Sequence, residues 1–461
     1  MPPLPRRDLR SLVRKLGGDS RPGQQKLVLA AILALCRDRD PESLAAITAA
    51  GAIPAIAQLL GPGSSVGVQV MAAALFCQLA LDDGLNLAIA SCPGAVPSLV
   101  RLLGLHSPPE VQMNAAGLMM ILAMKDVNVV IIAAADAVPP LVTLLGASFP
   151  ADMQERAAHL LMRLAETPAS AKHIVAAGAI PRLVELLGPG SAPPVQQRAV
   201  GLIGWLAENA ANGETIAAAG AIPLLVQLLA PSFPSDVQVH AAGALANLCR
   251  NGALAVKIAA AGAIPPLVQL LGPGTSDDGY QNAAATLMGL AQNVQNVDMS
   301  IAAAGAIPLL VLLLGPSRPG AVQYHAAGVL TNLARRTVLA CNIAASGAIP
   351  ALVRLLGPGS ISYVQLEAAA ALRQLAQKDG SAVTTMIALG AIPALMQLKR
   401  SGSRDHAEMA SEALEAIRDS NAEKRAATAT TTATTTTTAV TATITTAVGD
   451  VSQEMKGLGL D

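Results

Sequence analysis

The sequence predicts an all-α protein made of stacked helical repeats, and two observations support this fold class. A phrase that reads GAIP, GAVP or DAVP occurs nine times, and consecutive copies are 42 or 43 residues apart. Between the copies, apolar residues recur at helical spacing. Repeats of this length stack because a short helical hairpin cannot bury its apolar face alone. The phrase begins at Gly51, Gly94, Asp136, Gly178, Gly220, Gly262, Gly305, Gly347 and Gly390.

The repeated phrase predicts a corner between two short helices. In "AVKIAAAGAIPPLVQLLGPG", which begins at Ala255, the residues up to Ala261 are expected to form the first helix. Gly262 ends that helix because glycine adopts a positive φ without the steric cost of a Cβ. Pro265 fits the first turn of a second helix, where no backbone N–H is needed. The "GPG" at 272–274 then ends the second helix and turns the chain.

A longer third helix is predicted after this turn. In "VQVHAAGALANLCR" the apolar residues Val237, Ala241, Ala244, Leu245 and Leu248 are separated by 4, 3, 1 and 3 residues. This spacing places all five on one face of a helix. Each repeat is therefore expected to contain three helices.

Together these features resemble the armadillo repeat family. The resemblance lies in the repeat length, in the corner phrase "GAIPxLVxLL" and in the third-helix pattern "VQxxAAxALxxLA", and it covers nearly the whole chain. It implies an armadillo-type α-solenoid, a right-handed superhelix of three-helix repeats. We expect about nine repeats over residues 41–420.

The two ends of the chain are expected to differ from the repeats. Residues 1–40 contain "RSLVRKLGG" and "KLVLAAILALC", which echo a second and a third helix and predict a degenerate capping repeat. The alternative for the arginine-rich start is an organelle transit peptide. Residues 421–461 include the threonine-rich tract Thr428–Gly449, whose low complexity predicts a disordered tail.

Composition argues against several classes of partner. The 31 basic and 31 acidic residues give a formal net charge of zero, and aromatic residues make up 2% of the chain, so we expect no nucleic-acid binding. Every long apolar stretch is interrupted by the corner glycine and proline, so no transmembrane segment is expected. The five cysteines have no CxxC spacing, and the N-terminus lacks an apolar signal region. These features predict reduced thiols and a cytoplasmic or nuclear location.

No motif in the sequence indicates catalysis or a cofactor. None of the "GPGS" phrases continues into the Lys-Ser/Thr of a phosphate-binding loop, so they are interpreted as turns. The six histidines show no HExxH or other metal-ligand spacing, and no nucleophile motif is present. We therefore expect a protein that is not an enzyme and that holds no metal and no cofactor.

The resemblance places the expected binding surface on the third helices. In the armadillo family these helices line a concave groove that holds an extended segment of a protein partner, gripped by an asparagine near the end of each helix. The equivalent positions in this chain keep asparagine only at Asn247 and Asn332. The groove-facing stripe as a whole is mainly cationic, and many intervening positions are glycine or alanine, which would let a partner backbone approach closely. A cationic stripe would suit an acidic or phosphorylated segment, while the alternative is an ordinary solvated surface. The candidate partner-binding residues are Arg156, His159, Arg163, Arg198, Trp205, His240, Asn247, Arg250, His325, Asn332 and Arg335.

The resulting functional prediction is a noncatalytic scaffold or adaptor for a protein partner. A second hypothesis is a substrate-recognition subunit of a ubiquitin ligase system. A nuclear-import receptor is disfavoured because such receptors carry a tryptophan four residues before the groove asparagine. The positions that would hold that tryptophan are occupied by other residues, including Ala74, Gly117, His159, Gly201 and Gly243.

Overall fold

A computed structural model describes residues 6–17, 20–36, 40–401 and 403–426. Over these residues the regular structure is helical, with no β-strand. The chain divides into two compact units, Met1–Ala263 (unit 1) and Ile264–Asp461 (unit 2). Each unit is a stack of three-helix repeats, which confirms the predicted all-α solenoid. Most of the predicted tail, residues 427–461, lies outside the described residues.

Unit 1 contains eighteen described helices, which begin with the second and third helices of an incomplete repeat. They are α1 (Arg6–Arg14), α2 (Pro22–Leu35), α3 (Pro41–Ala49), α4 (Ala52–Leu59), α5 (Val66–Leu79), α6 (Asp83–Ala90), α7 (Ala95–Leu102), α8 (Pro109–Leu122), α9 (Asp126–Ala134), α10 (Val138–Leu144), α11 (Ala151–Ala165), α12 (Pro168–Ala176), α13 (Ala179–Leu186), α14 (Pro193–Ala207), α15 (Ala210–Ala218), α16 (Ala221–Gln227), α17 (Ser235–Leu248) and α18 (Gly252–Ala260).

Unit 2 continues the same order of helices from a second helix onward. Its described helices are α19 (Ile264–Gln269), α20 (Asp277–Asn293), α21 (Val297–Ala303), α22 (Ala306–Leu313), α23 (Gly320–Leu333), α24 (Thr337–Ala345), α25 (Ala348–Leu355), α26 (Ser362–Lys378), α27 (Gly380–Ala388), α28 (Ala391–Ser401) and α29 (404–426). The last helix continues through residue 426, into the segment expected to be tail.

The corner between the first and second helices has the backbone conformation expected from its glycine. Glycine occupies this position in eight copies and has φ between +77° and +85°. In the remaining copy Asp136 has φ +60°, a left-handed conformation that aspartate adopts more readily than most residues.

A side chain of the third helix closes the second corner in every repeat with a described third helix from α2 to α26. Nε2 of Gln196 on α14 donates to the carbonyl oxygens of Gly188, at 2.8 Å, and Leu187, at 3.2 Å. These bonds satisfy carbonyls at the end of α13 that have no partner within that helix. The equivalent donors, each eight residues after its acceptor, are Gln25, Gln69, Gln112, Gln154, Gln238, Tyr280, Gln323 and Gln365.

Alanine at equivalent positions lets the third helices of unit 1 pack closely. Ala115, Ala157, Ala199 and Ala241 stand on α8, α11, α14 and α17 and are fully buried. Because alanine is small, the helix axes can approach each other, and longer leucines on either side fill the remaining space. This packing aligns one face of each third helix with the next, which positions the candidate binding surface.

In the part of the chain that the structure describes, no single helix is both long and apolar enough to cross a membrane. Five pairs of consecutive helices reach the required length and composition together, each bent by between 71° and 93° at the break.

Candidate partner-binding surface

Eight of the predicted residues lie on the third helices α11, α14 and α17 of unit 1 or directly after them. We call these eight residues the unit 1 surface, and α14 packs against both α11 and α17. The side chains reach across from one helix to the next, since a methyl group on Gly201 would meet the His240 ring at 3.4 Å. The members are Arg156, His159, Arg163, Arg198, Trp205, His240, Asn247 and Arg250.

Two arginines of the unit 1 surface are already paired within the chain. Arg163 donates to Asp126 at 2.8 Å, to Glu166, and through Nε to the carbonyl of Ala123 at 3.2 Å. Arg198 Nε lies 3.8 Å from Glu155, a distance too long for a hydrogen bond. That Nε is buried and has no hydrogen-bond partner among the described residues. Arg163 therefore mainly joins neighbouring repeats, while Arg198 keeps unused hydrogen-bonding capacity.

The environment of His159 combines burial with charges of both signs from α11 and α14. Burial lowers the pKa of His159, and the charges of Arg198 and Arg163 lower it further against the opposing effect of Glu155. The lowered pKa favours the neutral form of His159 at pH 7. The cationic character of this region comes from its arginines.

Trp205 is an exposed apolar side chain at the centre of the unit 1 surface. It is the single tryptophan of the chain, and 42% of it is exposed. Next to it, Asn247 Nδ2 donates to the carbonyl of Gly204 at 3.0 Å. The amide of Asn247 thus bridges two helices of the chain and has its second N–H and its oxygen left for a partner.

Arg156 and Arg250 are unpaired. Neither makes an ion pair or a side-chain hydrogen bond with any residue that the structure describes. Arg156 reaches over α8, where a methyl group on Gly117 would lie 2.9 Å from its Nη1. Arg250 is exposed directly after α17.

The small residues expected to leave room for a partner backbone are covered by the chain itself. Gly201 is buried, and a methyl group there would meet Met162 Sδ at 3.3 Å as well as His240. In unit 2, a methyl group on Gly328 would meet Met288 Sδ at 2.5 Å. Long side chains of neighbouring repeats therefore fill the space above these glycines.

The three predicted residues of unit 2 differ in their availability. Asn332 is buried, and its Nδ2 donates to the carbonyl of Gly328 at 3.0 Å. Burial lowers the pKa of His325, whose Nδ1 is buried without a partner among the described residues. Arg335 is exposed after α23. Arg335 is thus the most accessible of the three.

Sequence reasoning missed an aromatic pair on two neighbouring third helices of unit 2, α23 and α26. Tyr324 and Tyr363 pack edge to face with ring centroids 5.3 Å apart, and Tyr363 and Ile361 are exposed. Burial and the nearby Glu367 raise the pKa of Tyr324. A sequence signal existed, because all three tyrosines of the chain fall on the consecutive third helices of this unit.

The described residues contain no group of three His, Cys, Asp or Glu side chains that could hold a metal ion. The unit 1 surface combines unpaired cations, a free amide oxygen and an exposed indole. Such a set can bind carboxylates, backbone groups and apolar side chains of a polypeptide.

Comparison with known proteins agrees with this architecture. The model of the armadillo/beta-catenin-like repeat matches residues 211–250 and 342–377. The crystal structure of an engineered protein is 31% identical, with a TM-score of 0.77, and the match covers 89% of this chain and 99% of that one. A designed armadillo repeat protein is 28% identical with a TM-score of 0.47, covering 52% of this chain and 99% of that one. No curated protein matches the chain.

Proposed function

Because this chain belongs to the armadillo repeat family, we propose that it is a noncatalytic scaffold or adaptor that binds an extended segment of a protein partner along the unit 1 surface. The observation that carries the proposal is the exposed Trp205 on α14, with the unpaired Arg156 and Arg250 on either side of this helix along the stack. Exposed tryptophan and arginine are the residue types that most often dominate binding energy at protein interfaces.

The partner segment is acidic or phosphorylated. Among the described residues neither Arg156 nor Arg250 has a carboxylate partner, and burial, together with the charges of Arg198 and Arg163, lowers the pKa of His159. Arginine binds carboxylate and phosphate groups through two parallel hydrogen bonds. The indole of Trp205 contributes an apolar contact, and the oxygen of Asn247 accepts from the partner backbone. This binding function belongs to the cytoplasm or nucleus.

A quantitative pull-down with matched charge reversals tests this proposal. The binding variant combines Arg156→Glu with Arg250→Glu, and Arg163 is left intact because its bonds to Ala123 and Asp126 join repeats. The control variant combines Lys172→Glu with Lys257→Glu, which makes the same change of charge on the exposed sides of α12 and α18.

Partners should be lost from the binding variant and retained by the control, as measured by quantitative mass spectrometry of the captured proteins. A synthetic segment of the captured partner should then change the fluorescence of Trp205, the single tryptophan, and bind more weakly at high salt. The proposal is refuted if the binding variant captures as much partner as the control variant. It is also refuted if Trp205→Ala captures as much partner as the parent, because the unit 1 surface would then not be the binding site.

A further inference from the structure

A cluster of exposed apolar side chains lies on or just before the first helices of two neighbouring repeats, α6 and α9. Met124, Val127 and Val130 are 72%, 63% and 62% exposed. Leu81 and Leu87 are 42% and 45% exposed. We call these five residues the α6–α9 patch. Clustered exposed apolar residues mark an interaction site more often than single scattered ones do.

The other repeats of unit 1 serve as an internal comparison for this patch. The position of Met124 is taken by the exposed residues Glu166, Glu208 and Arg250 in the three following repeats. The position of Val130 is taken by Lys172 and Glu214 in the two following repeats. The fold therefore accepts charged residues at both positions, and packing does not explain the apolar residues found here.

The helix α9 is apolar on both of its faces, although one face is open. Val129 and Ile132 point into the core and are buried, while Val127 and Val130 point outward. A helix at a protein surface is normally polar on its outward face, and a helix that is apolar all round is normally covered.

A buried hydrogen bond joins α6 and α9, which carry three of the five patch residues. Asn128 Nδ2 on α9 donates to Asn86 Oδ1 on α6 at 2.5 Å, and Asn86 in turn donates to the carbonyl of Ile121 at 3.0 Å. Helices that pack side by side lie about 8 to 10 Å apart, and amphipathic helices of partners commonly bind in apolar grooves between such helices.

Three aspartates lie around the patch, two of them paired with Lys125 and Arg163. Neither α6 nor α9 contains a lysine or arginine, and both begin with aspartate. The side chains of Asp83 and Asp126 are 83% and 90% exposed although they pair with Lys125 and Arg163, so their oxygens remain accessible. Asp82 adds a third carboxylate at the start of α6. The accessible carboxylates at the starts of α6 and α9 would repel an anionic membrane surface and attract a cationic partner.

We propose that the α6–α9 patch is a second docking site, which binds an amphipathic helix of a protein partner whose apolar face is flanked by lysine or arginine. The apolar face packs on Met124, Val127 and Val130, and the flanking cations meet Asp83 and Asp126. The site adjoins the unit 1 surface, since Asp126 accepts a hydrogen bond from Arg163, but it selects a partner of the opposite charge, so one chain can hold two different partners.

The test uses a charge-neutral variant taken from the next repeat. Met124→Glu combined with Val130→Lys reproduces Glu166 and Lys172 at the equivalent positions and leaves the net charge unchanged. Leu87→Lys is a second patch variant, on α6. The control is Val256→Lys, which removes a 51% exposed valine at the same repeat position on α18, outside the patch.

The probe is a synthetic helical peptide of about 18 residues, roughly five turns, with leucine on one face and lysine on its flanks. Its scrambled isomer and a version with glutamate in place of lysine serve as control peptides. The full chain should bind the leucine–lysine helix more tightly than either control peptide. Both patch variants should weaken that binding by about tenfold or more, and Val256→Lys should not.

Several results would overturn the proposal. One is failure of the parent to prefer the leucine–lysine helix, and another is equal binding by the parent and both patch variants. Light scattering of the parent could show a dimer that the patch variants lose, which would make a second copy the occupant. Vesicles of phosphatidylcholine and phosphatidylserine could bind the parent but not the patch variants, which would make a membrane the occupant.

Discussion

The hydrogen bonds that Gln196 makes to the corner after α13 should contribute measurably to stability. In the variant Gln196→Met the side chain keeps its length but loses its donor, so the carbonyls of Leu187 and Gly188 lose bonds of 3.2 and 2.8 Å. Gly188 O keeps a bond from the Ser191 backbone N–H, whereas Leu187 O loses the side-chain partner that crosses the corner. Gln196 is 3% exposed, so water cannot easily replace the lost donor.

The expected loss follows from the two bonds. Each contributes a net of about 0.5 to 1.5 kcal/mol, which gives a gross loss of about 1 to 3 kcal/mol. The buried thioether of methionine offsets part of this loss through apolar burial. We therefore expect the free energy of unfolding to fall by about 1 to 2 kcal/mol.

The neighbouring residue provides the matched control. Gln197 is half-buried, and its Nε2 makes a surface hydrogen bond to Asp236 at 3.3 Å. Gln197→Met should change the free energy of unfolding by less than about 0.5 kcal/mol. Urea unfolding should be followed by circular dichroism and by the fluorescence of Trp205, which stands on the same helix, α14. Equal losses for the two variants would refute the assigned role of Gln196.

Three further outcomes follow from the backbone, the thiols and the buried imidazole. Gly178→Ala should destabilise the protein by about 1 to 2 kcal/mol in urea unfolding because Gly178 has φ +79°. Gly190→Ala, where a methyl group meets no atom within 4 Å, should have little effect or stabilise slightly, and a similar loss for both would contradict the reasoning. A thiol reagent at pH 8 should modify the exposed Cys341 in the native protein but not Cys249, because burial raises the pKa of Cys249 to about 12; mass spectrometry of the labelled peptides checks this. Because burial and neighbouring arginines lower the pKa of His159 from 6.5, the unfolded chain takes up its proton first, so stability should decline as the pH falls below about 6.5. His159→Gln should decline less over that range, and an unchanged slope would show that other groups set the acid sensitivity.

Much of the fold could be predicted from the sequence because its determinants are local. Gly262 fixes a positive φ and Pro265 fixes the start of a helix through the steric properties of one residue each. The apolar spacing from Val237 to Leu248 then assigns a buried face, which the structure confirms. The same reasoning could not find the role of Gln196, since the pattern marks the residue as recurrent but does not show which carbonyl lies beside it.

The candidate site was less predictable, because its properties arise between repeats. The sequence identified Arg163 as a cation on the third helix, but not that Asp126, 37 residues earlier, already pairs with it. It identified Gly201 as small, but not that Met162 and His240 fill the space above it.

What the sequence by itself determined is the repeat, its three helices and the corners between them, since each depends on backbone dihedrals and helical spacing within about 42 residues. Only the tertiary structure decided which side chains remain available. The stacking of one repeat on the next pairs Arg163, leaves Arg156 unpaired and exposes Val130 beside α6. These outcomes depend on distances across neighbouring helices, which no periodic pattern along a single chain specifies.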